Sequence, residues 1–505
     1  MKIILISLYG IESIGVRILF SFLKAYGFDV TIIFLKKWVN NNICVPSIVE
    51  EACLVKLLKN ISPALVGLSF GTSYFNIAKK ITFSIKSNLD SMVVWGGVHA
   101  TIVPEECIDF ADIVCVGEGE YPLLELAKQL AMREEISNIQ NLWIRNDNHV
   151  EKNGLRKLVN NLDELPFPNL ENDNKFYIEN NRVYEGDPLY KSAEYRIIAS
   201  RGCLFNCSYC YNSTLRKIYK EKGNYFRQRS PENVVAELEY AIKTIPRLRK
   251  IKFDDDTFIF PNEWIDKFCS LYKKRINIPF DILLNPLVID ESVLLKLKDA
   301  GLRGVQIGIQ TSAEGHLKEV YQRSASNEKI VKFSQINRKL KLDVVYDIIL
   351  DDPTATVEEK KELFVFLMSL SRPFKLFLYS LTFFPKTDIS NRFLEMGIID
   401  KNDIEGAATK TFNQYRLSMA YPRSKEDIFF ISLIVLITKN FIPKAFIYRI
   451  YRNKFLRKHP YFLKIFSQLC NFIKIVSIAF KMFVRGELTF LKIKEYLNVR
   501  KLLTQ

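Results

Sequence analysis

Arg201-Gly202-Cys203-Leu204-Phe205-Asn206-Cys207-Ser208-Tyr209-Cys210 places three cysteines within eight residues, separated by three and then two positions. Thiolates this close can hold one metal cluster without help from distant sequence. Iron–sulfur clusters are usually held by four thiolates, and no nearby fourth Cys completes the set. Three ligands on a four-iron cluster leave one iron open, and an open iron can bind a substrate. Zinc is the competing metal, but its sites usually show two CxxC pairs or one pair with distant histidines. A disulfide is disfavoured by the odd number of cysteines.

At 505 residues the chain has room for two or three domains. Its 48% apolar and 25% charged residues are an ordinary globular balance, so a core is expected. Nine cysteines are too sparse for a disulfide scaffold. Cys44, Cys53, Cys107, Cys115, Cys269 and Cys470 lie in apolar contexts and are expected to be buried and inert. A reducing, cytoplasmic compartment fits. Residues 1–6 are too short for a signal segment and read as a buried first strand. From Lys444 onward, fourteen Lys and Arg face only Glu487 and Glu495, so this tail carries +12 of the total +16. The basic character therefore belongs to the tail.

Residues 2–8 are a continuous apolar run, as in a parallel strand covered on both faces. Further strands are expected at 30–35, 64–69, 92–95 and 113–116, with helices at 14–26, 74–87 and from Pro122. This rhythm predicts a doubly wound parallel sheet, Rossmann-like, whose ligands sit beyond the carboxyl ends of its strands. Those ends carry Gly10, Gly67-Leu68-Ser69-Phe70-Gly71-Thr72, Gly96-Gly97-Val98-His99-Ala100-Thr101 and Gly117-Glu118-Gly119-Glu120. Small residues there leave room for a ligand. No GxGxxG follows the first strand, which argues against a dinucleotide.

The run Trp95 to Thr101, Pro104-Glu105 and the run Asp112 to Glu120 together resemble the cobalamin-binding domain that precedes many radical S-adenosylmethionine (SAM) domains. The resemblance implies cobalamin contacts from Ser69, Gly71, Thr72, Gly96, Gly97, His99, Gly117 and Glu118. The DxHxxG motif that supplies a cobalt-ligating His in the wider fold is missing: Leu8 to Gly15 contains no His. Cobalamin held without a protein imidazole is the implied arrangement, and a degenerate domain that binds nothing is the alternative. A structural turn is the expected role of His99.

Residues 131–195 are polar and rich in Asn, and Pro166 and Pro168 favour an extended connector. Beyond it, strands are expected at 196–199, 250–253, 280–284, 304–309, 344–350 and 376–381. Six βα units predict a partial (β/α)6 barrel with its chemistry at the carboxyl ends of the strands. The Cys loop follows the first of them.

Cys203, Cys207 and Cys210 with this context resemble the radical SAM signature, and the resemblance covers residues 1–400. It implies that these three Cys hold a four-iron–four-sulfur cluster and that SAM chelates the fourth iron. Tyr209 matches the position against adenine. Asp254, Asp255 and Asp256 match the segment contacting the SAM amino group. Gln310, Thr311 and Arg323 match positions that hold the ribose and the methionine carboxylate, and an Arg fork suits a carboxylate. Asp347 lies in the segment near adenine. In Asp347-Ile348-Ile349-Leu350-Asp351, Asp351 replaces the usual Gly; in Phe384-Pro385-Lys386-Thr387, Lys386 does. The implied activity is reductive cleavage of SAM and, with cobalamin, methylation of an unactivated carbon of a small-molecule or lipid-like substrate. An electron donor such as flavodoxin or ferredoxin is implied with it. Cyclisation or carbon-skeleton rearrangement is the alternative outcome, and a membrane-associated non-catalytic binding protein the alternative class.

The expected domains are thus 1–135, a linker 136–195, the barrel 196–400 and a helical basic region 401–505. Residues 428–438 are too short an apolar run to span a bilayer. Drawn as a helix, residues 462–484 gather Lys464, Ser467, Asn471, Lys474, Lys481 and Arg485 opposite Leu469, Phe472, Ile473, Val476 and Phe480. Two readings follow: a helix packed on the barrel with a solvated lysine face, or peripheral contact with the inner membrane face. Nucleic acid is disfavoured, because no binding motif appears.

Overall fold

The computed structural model describes residues 1–37, 45–146, 149–405 and 424–484. Cys44 and Arg485 lie outside the described residues, as do the side chains of Lys474 and Lys481.

The N-terminal region is built on β1 (Lys2–Leu8), β2 (Asp29–Leu35), β3 (Leu65–Ser69), β4 (Met92–Gly96) and β5 (Ile113–Cys115). All five are parallel and lie in the order β5-β4-β3-β1-β2. β1 is buried from Ile3 to Leu8, as an apolar run broken only by Ser7 requires with helices on both faces. Strand order reverses on either side of β1, and a crevice opens at such a reversal.

Residues 136–195 are not a linker. They supply β6 (Leu142–Asn146), β7 (His149–Lys152), β8 (Lys175–Glu179) and β9 (Arg182–Glu185), which extend the sheet to nine strands. β6 pairs antiparallel with β5, whereas β8 joins β2 in parallel, with Lys175 opposite Ile32. The sheet is therefore mixed at its edges. Polar sequence misled here because edge strands bury few side chains: β9 is exposed throughout. Asp187, just past β9, is locked inward by Arg17, whose Nη1 and Nη2 donate to it at 2.5 and 2.8 Å. Lys175 Nζ lies 3.2 Å from the same carboxylate, and all three side chains are 0–1% exposed.

The second sheet runs from β10 (Glu194–Ile197), past a two-stranded ribbon of β11 (Ser200–Arg201) and β12 (Arg227–Gln228), through β13 (Lys250–Phe253), β14 (Phe280–Leu284), β15 (Leu302–Gln310), β16 (Asp343–Asp351) and β17 (Lys375–Ser380). Its order β10-β13-β14-β15-β16-β17 is sequential and all-parallel, the six-stranded partial barrel expected. The edges fall within two residues of the apolar runs that predict them.

Beyond the barrel, the Lys425–Ile437 helix is apolar around its circumference and accordingly buried from Phe429 to Ile437. A Ser424–Asp427 capping box starts it, and Lys360 Nζ, 3.0 Å from Asp427, ties it to the barrel. The Pro460–Val484 helix packs on it. No helix among the described residues is long and apolar enough to cross a membrane. The solvated lysine face expected of residues 462–484 is not what faces out. Ser467 and Asn471 are buried with Leu463 and Cys470, and the apolar side is exposed. Small side chains such as Ser467 and Cys470 let the two helices approach closely.

Candidate active site

The Cys loop hangs between the first barrel strand and the Tyr211–Ile218 helix. Its entry needs Gly202, at φ +85°, where a Cβ would fall 2.3 Å from the Tyr225 carbonyl oxygen. Ser208 then anchors the middle of the loop. Its N–H donates to Tyr321 O at 2.9 Å and its hydroxyl to Val320 O at 2.7 Å. Arg216 clamps the loop from the following helix by donating to the carbonyls of Cys203 and Phe205.

Cys203 and Cys207 are buried, Cys210 is half-buried, and all three are free thiols. With Tyr209, Asp256, Gln310, Arg323 and Asp347 they line one cavity of about 180 Å³. Among the described residues no three His, Cys, Asp or Glu side chains close on a single ion.

Arg323 is the best connected of these groups. Its Nη1 lies 3.2 Å from Tyr209 Oη and 3.6 Å from Cys207 Sγ, and its Nη2 donates to Gly308 O at 2.6 Å. Its buried Nε has no protein partner. Gln310 sits at φ +70° where the β15–β16 register shifts, a strained backbone of the kind found at functional sites. Asp347 accepts from Gln306 Nε2 at 2.9 Å, and burial pushes its carboxyl up to about 7.

The three consecutive carboxylates part company. Asp256 lines this cavity and the neighbouring one; Asp254 lines only the neighbouring one and pairs with Arg196 at 2.9 Å. Asp255 turns to the backbone, accepting from Ala199 N at 3.0 Å and from Ser200 Oγ, and so holds the start of the Cys loop. Thr311 is buried, with its hydroxyl at Ala313 N, and is not among the lining residues.

The neighbouring cavity, about 550 Å³, lies between the N-terminal sheet and the barrel, where the strand order reverses. Ser69, Gly96, Gly97, Gly117 and Glu118 line it from one side, Arg201, Tyr211 and Tyr225 from the other. Glu118 accepts from Arg201 Nη1 at 3.0 Å and from Arg227 Nη2 at 2.8 Å, and Glu120 accepts from Arg201 Nη2 at 2.6 Å. These pairs clamp the two domains together at the cavity rim. Gly97, at φ +95°, is required by the protein itself, since a Cβ would fall 2.6 Å from Phe70 O. Gly15 is different: a Cβ there would meet nothing within 4 Å, and the space belongs to the cavity.

Gly71, Thr72 and His99 are not among the lining residues. His99 is 3% exposed, packs against Phe70 and Phe75, and has Nδ1 3.2 Å from Thr72 Oγ1. Burial pulls its pKa down to about 4, so the ring is neutral.

The radical SAM superfamily pattern matches residues 197–367, and the B12 binding domain pattern matches residues 1–127. The chain is a radical SAM protein with a B12-binding domain. An uncharacterized methyltransferase of Pyrococcus horikoshii is 28% identical over 319 residues, 61% of this chain and 64% of that protein. The chain thus spans just under two thirds of that relative's length. In fold, this radical SAM protein is similar to the cobalamin-dependent SAM radical enzyme OxsB with aqua-cobalamin and SAM bound. There the TM-score is 0.66 at 17% identity, over 97% of this chain and 81% of that one. The radical SAM methyltransferase TsrM of Kitasatospora setae gives 0.61 at 18% identity, over 78% and 75%.

A radical SAM domain brings a four-iron–four-sulfur cluster and SAM, and a B12-binding domain brings cobalamin. The residues present fit the first two. Burial by itself pushes the Cys203 thiol above its ordinary value and the Cys210 thiol up to about 12. Both would stay protonated at neutral pH unless metal held them as thiolates. The unpartnered Arg323 Nε adds a buried donor for an anionic group. The larger cavity, onto which Gly15 opens and which has no His among its lining residues, fits a cofactor held without an imidazole ligand.

Asn212 and Tyr225 are among the lining residues that a motif-based reading misses. Asn212 lines both cavities, with Nδ2 3.8 Å from Cys210 Sγ, and Tyr225 donates to its Oδ1 at 2.5 Å. The only sequence signal for Asn212 is its place two residues after the last Cys of the loop.

The turn carrying Arg323 is held by a separate buried network. His316 Nε2 lies 3.2 Å from Asp352 and Nδ1 3.0 Å from Glu359, while Tyr321 Oη donates to Asp352 at 2.6 Å. Burial lowers the His316 pKa, but the two carboxylates outweigh it and raise the value to about 9. A folded pKa above the unfolded value, about 6.5, means stability fully present below that value and lost as pH rises through 9. His316→Gln should therefore lower the urea midpoint clearly at pH 6 and much less above pH 9. An equal loss at both values would place the His316 contribution outside its charge.

Proposed function

We propose that the protein is a cobalamin-dependent radical SAM methyltransferase acting on an unactivated carbon of a small-molecule or lipid-like substrate. The cluster, SAM and cobalamin supply the electron, the hydrogen-abstracting radical and the methyl group. What the chain supplies is placement. Cys203, Cys207 and Cys210 hold the cluster, and Arg323, Gln310 and Asp347 orient SAM beside it. Ser69, Gly96, Gly97 and Gly117 floor the cobalamin cavity, and Arg201 with Glu118 and Glu120 keeps the domains closed against water. The observation that supports the reading best is that the two cavities meet at Asn212 and Asp256, so a substrate there would face both. The electron donor is a small redox protein such as flavodoxin or ferredoxin, in the cytoplasm.

The test is anaerobic purification with cobalamin supplied, metal analysis and incubation with methyl-labelled SAM. About four iron and one cobalt per chain are expected, with label transferred to product once substrate is present. Iron and SAM cleavage without cobalt would reject methylation and turn the assignment to cyclisation or rearrangement. Absence of both metals would reject the enzyme reading.

A further inference from the structure

The Pro460–Val484 helix turns its apolar side away from the protein. Phe462, Ile465, Leu469, Phe472, Val476 and Phe480 are 48–66% exposed and recur every three or four residues, forming one stripe. Phe455 extends the stripe onto the preceding short helix, its ring centroid 6.2 Å from that of Phe462. A surface helix that packs only on its own protein buries this side, and a contiguous exposed apolar patch marks an interaction surface.

Charge selects what covers it. Between Phe441 and Ile473 there are seven Lys and Arg and no Asp or Glu. Arg449, Arg452, Lys454 and Lys458 are exposed on and between the helices that lead into the stripe. A second copy of the chain would set like charges against each other. Residues 485–505 are also basic, with five Lys and Arg against Glu487 and Glu495. An anionic bilayer meets both demands: its headgroups neutralise the basic residues, and its acyl region takes the aromatic and aliphatic stripe. The side opposite the stripe is packed on the protein through Leu463, Ser467, Cys470 and Asn471, so the helix would lie in the plane of the interface.

We propose that the Lys444–Tyr451, Lys454–Lys458 and Pro460–Val484 helices form a docking surface for an anionic phospholipid bilayer. This goes beyond the proposed reaction and does not depend on it. The test is flotation of the full-length protein with vesicles of phosphatidylglycerol and phosphatidylcholine against phosphatidylcholine alone. Binding should be about tenfold weaker to the neutral vesicles and should weaken with salt. Ile465→Ser/Leu469→Ser/Phe472→Ser should lose about tenfold or more, and Lys454→Glu/Lys458→Glu about tenfold. Iron binding should be retained in both variants, which reports on their folding. No flotation with anionic vesicles, equal flotation with both kinds, or variants that float like wild type would each overturn the proposal. So would a dimer that the serine variant converts to monomer without changing flotation, which would assign the stripe to a second copy.

Discussion

Cys207→Ala is expected to abolish iron binding and SAM cleavage together. Cys207 is 6% exposed, and Arg323 Nη1 lies 3.6 Å from its sulfur. Removing it leaves two protein thiolates in the loop, too few to hold a cluster that normally takes four ligands. The change removes a single atom larger than hydrogen, and Ser208 still anchors the loop through its two hydrogen bonds to the Val320–Tyr321 segment. The fold should survive, so the loss reads out chemistry. SAM cleavage should fall by roughly a thousandfold or more, since ligands that act as a unit fail as a unit. Cobalamin binding, on the other side of Asn212, should persist. Cys269→Ala is the control: Cys269 sits half-buried on the Asn262–Arg275 helix, away from the loop, and its loss should leave iron content unchanged. Retained iron and SAM cleavage in Cys207→Ala would refute the assignment of the loop.

The Cys loop was legible because its three thiols are close in sequence, and the loop by itself places them around one cavity. The inner strands were legible for a similar reason. β1 is a short, largely apolar run buried from Ile3 to Leu8, and β13 alternates Lys250 and Lys252 with the buried Ile251 and Phe253. Information carried by distant pairing was not legible. β8 is chosen by β2, about 140 residues earlier, through the Ile32–Lys175 register, and nothing inside 136–195 announces that partner. Glycines were legible as places of close approach but not as to what approaches. Gly97 makes way for Phe70 O, whereas Gly15 opens onto the cavity. The same limit applies to the Pro460–Val484 helix. Periodicity groups Ser467 with Asn471 and Leu469 with Phe472, yet which group turns inward depends on the surface of the Lys425–Ile437 helix.

Asp187→Ala tests whether residues 136–195 belong to the N-terminal domain, and its expected cost is about 3–5 kcal/mol. The carboxylate neutralises two cations at once. Arg17 grips it with both Nη atoms and also donates to Asn169 O at 2.9 Å and Ile11 O at 2.8 Å. Burial pulls the Lys175 pKa down to about 8 even with Asp187 beside it. Without Asp187, Arg17 and Lys175 would be two buried cations facing each other. Lys175 could shed its proton, but a guanidinium cannot. The charge would drag water inward, and β8 and β9 would part from β2. By contrast, the pair Lys273–Asp299, 60% and 73% exposed, should contribute at most about 1 kcal/mol. Chemical unfolding of Asp187→Ala beside Asp299→Ala makes the comparison within one protein. A docked segment predicts a large downward shift of the first transition for Asp187→Ala and almost none for Asp299→Ala. Shifts of equal size would mean that the segment lies on the domain without holding it.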